Sequence, residues 1–215
     1  MQTRINLVRA LGMWRVAAGL VLVVALAGCA STALETKAHR GGPAPQDPDS
    51  FELTEAVKIP AEVRAEYDNA LRLLTTQQYD QGITLLLNVT QKAPTAAAPY
   101  VNLGIAYGKS GDLDKALSNL KHAVELNPRQ IVAYNELGIV YRRKGEFAAA
   151  RDSYEHALNV FPRFRYARLN LAILCDLYLG DLSCARDNYL AYQQLVPDDP
   201  QVAKWIAELN NRPKP

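Results

Sequence analysis

The chain has 215 residues, 49% of them of hydrophobic type, and a formal net charge of +2. Residues 1–28 hold three arginines and no acids, so the remainder is slightly acidic and carries no electrostatic footprint for nucleic acid. The basic isoelectric point, about 8.4, belongs largely to that first segment.

In chain order, Arg4, Arg9 and Arg15 lead into the apolar run Val16 to Ala27, and small residues follow. That is the layout of a secretory signal, and the run is too short to span a bilayer as a helix. It ends in Leu26-Ala27-Gly28-Cys29, which resembles the bacterial lipoprotein processing box. The resemblance implies cleavage before Cys29, diacylation of its thiol and acylation of its new amine. The alternative is an ordinary cleaved signal with a free cysteine nearby. One acyl chain anchors weakly and two or more hold firmly, so a triacylated Cys29 would stay in the membrane. Ala30 rather than aspartate follows, which by that family's sorting rule implies the outer membrane and a domain facing the periplasm.

Residues 29–59 read as the lipidated cysteine and a flexible tether. His39-Arg40-Gly41-Gly42-Pro43-Ala44-Pro45 and Asp47-Pro48-Asp49 carry turn and extended signals without an apolar period. Some thirty flexible residues span roughly 30 Å root-mean-square. Phe51, Leu53, Val57 and Ile59 are more apolar than a tether needs. Either they pack on the first helix or they lie in the binding groove described below.

From Tyr100 to Pro162 one pattern is written twice. Tyr100, Leu103, Gly104, Tyr107, Gly111, Ala116, Ala123 and Pro128 recur 34 residues later as Tyr134, Leu137, Gly138, Tyr141, Gly145, Ala150, Ala157 and Pro162. Apolar and small residues in the first half of each unit fall at helical spacing. Glycine then breaks the run, a second apolar-faced run follows, and Asn127-Pro128 or Phe161-Pro162 stops it. Such a helix pair cannot bury both faces alone and must stack on neighbours. Ala70, Gly82 and Pro94 place a divergent first unit one step earlier, with Asn69 in the leucine position. Leu171 and Ala172 continue in register. Then Gly180, Ala185, Tyr189 and Pro197 stand 35 residues after their counterparts, so one residue has been added within Cys175 to Leu179 as a bulge or longer turn. Tyr192 takes the place of Ala157, which predicts wider packing there. After Asp198-Asp199-Pro200, a last helix presents Val202, Trp205, Ile206 and Leu209 on one face.

The 34-residue period and the order of these residues resemble a tetratricopeptide repeat (TPR). The resemblance implies an all-α, right-handed α-solenoid of about four helix pairs plus a C-terminal capping helix. The units fall at about 63–96, 97–130, 131–164 and 165–198 within a domain of 60–198, with cap and tail at 199–215. It also implies a protein-binding scaffold whose first helices line a concave face. Val101, Ile105, Asn135, Ile139, Arg142, Arg143, Leu169 and Ile173 are then the partner-binding residues, with Gly108 and Asp176 beside them. Ile105, Ile139 and Ile173 make a row at 34-residue spacing, without the basic and amide residues that clamp a carboxylate in some family members. The expected partner is a protein or peptide, as an apolar segment or an amphipathic helix. The competing reading packs these isoleucines within the stack, or covers them with Phe51 to Ile59 or with the last helix. Anchor plus repeats is similar to the pilotins of type IV pili and to periplasmic adaptor lipoproteins.

Cys175 and Cys184 flank the turn at Gly180-Asp181, about two residues out of step, which leaves open a disulfide or two packed thiols. Two cysteines without a nearby histidine fall short of a zinc site, so no metal is expected. His122 and His156 occupy equivalent places one repeat apart, too far for one ion. No nucleophile–base pair and no phosphate loop appear, so the chain reads as a non-enzyme without cofactors. Oligomeric state stays open.

Overall fold

The computed structural model describes residues 59–212, all within one compact unit. Among the described residues every regular element is helical. In order they are α1 (Ala61–Thr75), α2 (Tyr79–Lys92), α3 (Ala97–Ser110), α4 (Leu113–Leu126), α5 (Ile131–Lys144), α6 (Phe147–Val160), α7 (Arg165–Leu174), α8 (Leu182–Leu195) and α9 (Pro200–Asn210). A π-helical turn, Cys175–Leu179, continues α7.

A glycine and the acid after it, at Gly111-Asp112, Gly145-Glu146 and Gly180-Asp181, turn the later three hairpins, whereas the first turns at Gln77 with φ 61°. Gly111 and Gly145 end α3 and α5 in the left-handed region, at φ 98° and 79°, where a side chain would be strained. The Asp112 side chain then accepts from the Lys115 N–H at 3.1 Å and caps α4. Asp181 caps α8 in the same way through the Cys184 N–H at 3.0 Å. Asp199 caps α9 through the N–H groups of Gln201 and Val202, with Pro200 as its first residue.

Small residues set the distance between the helices of a pair. A Cβ on Gly104 would stand 2.4 Å from Cγ of Leu120, and one on Gly82 would stand 2.5 Å from a methyl of Leu74. The core runs along the stack as three clusters. One is centred on α1 and α2, one on α3 and α4, and one on α6 to α9. Ile59, the last residue of the tether as read from sequence, is buried in the first of these with Val63 and Tyr67. Phe51, Leu53 and Val57 lie outside the described residues.

The odd-numbered helices touch one another, α1 on α3, α3 on α5 and α5 on α7, in addition to their sequence neighbours. They form one continuous wall, with the even-numbered helices behind it.

The added residue shows in the backbone bonds. Asp112 and Glu146 donate back five residues, to Tyr107 and Tyr141, at 2.9 Å each. Asp181 reaches back six, to Cys175, also at 2.9 Å. The extra residue widens the end of α7 into a π-turn, the usual result of inserting one residue into a helix. Beyond it, Tyr192 is buried where Ala157 stands in the unit before, and its hydroxyl donates to Asp199 at 3.0 Å. Tyr189 packs its ring 5.6 Å from that of Trp205, so α9 closes the stack with aromatic contacts.

Candidate peptide-binding wall

The sequence places its candidate residues on α3, α5 and α7, and the wall holds them at different depths. Ile105, Ile139, Leu169 and Ile173 are half-buried, each with one side in a core cluster. Val101 and Asn135 are almost fully buried, at 5% and 4% exposure. Gly108 and Asp176 are buried too. Asp176 accepts from the Tyr189 hydroxyl at 3.3 Å and pairs with Arg212, so it ties α9 to the π-turn and does not look into the wall.

The two arginines separate as well. Arg143 donates to the Gly108 carbonyl, bridging α5 to α3. Arg142 is half-buried, lies 5.6 Å from the Tyr178 ring centre and donates to its hydroxyl at 3.4 Å. Burial pushes the neighbouring Tyr154 hydroxyl up to about 12, with Arg142 pulling the other way.

Amide side chains run across the wall. Asn102 donates to the Tyr67 hydroxyl at 2.7 Å, linking α3 to α1. Asn170 donates to Asn135 at 2.9 Å, linking α7 to α5, and Asn135 donates to Glu136 at 3.1 Å. Burial raises the Glu136 carboxyl above its ordinary range, and its bond from Asn135 and the charge of Lys109 oppose that. Asn102, Glu136 and Asn170 stand at 34-residue spacing, a polar row beside the isoleucine row.

A pocket of about 270 Å³ opens between α1, α3 and the start of α5. Val101 and Ile105 line it with Ala98 and Val132, and Tyr67, Asn102 and Gln130 supply its polar wall. The last three, Ala98 and Val132 are absent from the set expected from sequence. The 34-residue row could have pointed to Asn102. Tyr67 lies in the divergent unit, and Gln130 reads as a linker residue.

The sulfurs of Cys175 and Cys184 are bonded, with Cα atoms 5.9 Å apart. Cys175, Asp181 and Cys184 cluster like metal ligands, but the sulfurs hold each other and Arg151 pairs with Asp181 at 2.8 Å. The bridge holds a turn whose Leu177, Tyr178 and Leu179 are all exposed. On the even helices, His122 stands edge-on to Tyr100 at 4.5 Å, and His156 lies 3.9 Å from Tyr134. These are equivalent packing contacts in successive units. No helix among the described residues is long and apolar enough to cross a membrane. Cys29 lies outside them.

A family profile described as "Tetratricopeptide repeat" matches residues 95–163, and a second with the same description matches residues 135–200. No curated protein matches the chain by sequence. Among solved structures it is similar to residues 41 to the end of MamA from Desulfovibrio magneticus RS-1. That pair is 16% identical, covers 71% of this chain and 86% of that one, and has a TM-score of 0.62. TTC0263, a thermophilic TPR protein of Thermus thermophilus, is 26% identical with a TM-score of 0.60, over 70% of this chain and 82% of that one. PilF of Pseudomonas aeruginosa is 17% identical with a TM-score of 0.63, over 68% of this chain and 67% of that one. Residues 95–200 are therefore tetratricopeptide repeats, and the described chain folds as an all-α solenoid of that type.

Proposed function

We propose that this protein is a scaffold that grips a protein segment along its odd-numbered helices while a lipid on Cys29 holds it to the cell envelope. The observation that carries this is the half-buried row Ile105, Ile139 and Ile173, continuous with an open pocket on the same wall. Such an apolar strip fits an apolar segment or amphipathic helix. The signal layout and Leu26-Ala27-Gly28-Cys29 support an anchored protein facing the periplasm, at the outer membrane because Ala30 follows. The combination favours service to pilus or secretion machinery. Adaptor to peptidoglycan hydrolases or a protease, or self-assembly as a structural lipoprotein, are the alternatives. No catalytic step belongs to the reading.

The test is crosslinked capture from intact cells by the full chain and by Ile139→Glu. The variant should lose its partner while its thermal unfolding stays close to that of the parent. Unfolding of the variant would make Ile139 core and remove the wall as a binding surface. Labelled palmitate should enter the parent and not Cys29→Ala.

A further inference from the structure

The pocket between α1, α3 and α5 has a polar signature that an ordinary packing gap would lack. Gln130, just before α5, is 3% exposed, and its Oε1 is buried without a hydrogen-bond partner among the described residues. A buried acceptor left unpaired is costly, and a residue serving only as filler would shed that cost. Across the pocket, Asn102 uses its amide nitrogen on Tyr67 and the Ala98 carbonyl, which leaves its side-chain oxygen as an acceptor. The remaining lining is aliphatic, from Ala98, Val101, Ile105 and Val132, and no charged side chain contributes.

We infer that this pocket takes an aliphatic side chain of an extended peptide whose main-chain N–H draws Gln130 Oε1, closed to solvent in the free protein, round to accept from it. The inference rests on the wall being the partner-binding surface, and it specifies the chemistry at one point along it. Two facing acceptors in an uncharged, apolar setting match a neutral donor and oppose a carboxylate. The pocket thus selects an internal stretch of a partner over a free C-terminus or an acidic side chain. Its volume suits one branched aliphatic group with its flanking peptide units.

The full chain, carrying methyl-labelled isoleucine in detergent, can be titrated with N-acetyl-leucine methylamide and separately with N-acetyl-leucine. The second probe replaces an amide by a carboxylate. The methylamide should shift the Ile105 methyl saturably in the millimolar range and leave Ile206, in the cap, unmoved. N-acetyl-leucine should bind about fivefold or more weakly, and Gln130→Leu should lose about fivefold for the methylamide with no fall in unfolding temperature. An unmoved Ile105, a carboxylate probe that binds as well or better, or a Gln130→Leu protein that binds unchanged would each overturn the inference. Should Gln130→Leu fail to fold, the two probes on the parent protein still decide. Partner capture that depends on Ile139 without any probe response sinks the pocket and leaves the wall. A probe response without a captured partner does the reverse.

Discussion

A Cβ on Gly138 would stand 2.3 Å from Cε1 of Tyr154, so α5 and α6 meet across a glycine facing a fully buried ring. The ring has no room to yield. Gly138→Ala should cost roughly 1–3 kcal/mol through overpacking, more than the ~1 kcal/mol that alanine gains in a helix. Gly108, also buried and helical, has its nearest neighbours at 3.9 Å, and Gly108→Ala should gain about 0.5–1 kcal/mol. Urea midpoints of the two variants should move in opposite directions.

The Cys175–Cys184 bridge closes a short loop, with a sequence separation of 9. Reduction should lower stability by about 2–3 kcal/mol. Intact mass with and without reductant should differ by two hydrogens, and reductant should lower the thermal midpoint of the parent but not of a Cys175→Ala/Cys184→Ala protein. Equal midpoints for the reduced and oxidised parent would show that the bridge contributes nothing to stability.

Asp181 is held below the ordinary carboxylate range, first by its bond from Arg151 and then by the Cys184 N–H that it caps. A depressed folded value means that its stabilisation is complete above the unfolded value near ~3.9. It fades as pH falls through the lower folded value. Asp181→Asn keeps the cap, because asparagine caps as well, and removes the titration. The variant should be modestly less stable than the parent at neutral pH, with the two stability curves converging in acid. Parallel curves across that range would assign the acid sensitivity elsewhere.

Arg212, two residues past α9, pairs with Asp176, whose side chain is only 4% exposed. Arg212→Ala leaves that carboxylate with the Tyr189 hydroxyl alone and should cost about 1–3 kcal/mol. Replacing both partners with leucine should recover part of the loss, because an apolar pair leaves no buried charge behind. Hydrogen exchange in α9 should rise in the single variant first.

The hairpins are legible in the sequence because glycine, proline and small residues act locally, and their chemistry repeats at one interval. Leu103-Gly104 and Leu137-Gly138 announce two helices before any contact is known. The slip after Ala172 reveals an added residue, but a bulge and a longer turn share one sequence signature, and the choice lies in the bond made by the Asp181 N–H. The isoleucine row can be read from spacing. Depth cannot: Val101 and Asn135 sit where the neighbouring helix covers them, and that depends on the tilt between units. Gln130 carries no periodic signal because it lies between two helices, and only their approach turns it inward.

Each odd helix from α3 to α7 rests on both helices of the unit before it, and most extensively on the even one. A unit seated on two supports resists hinging as well as sliding, so the stack bends only slightly at each step. Points on the front keep their pitch through such motion. A long ligand lying along them would meet evenly spaced footholds, and a ligand whose own repeat did not match could not be accommodated by bending.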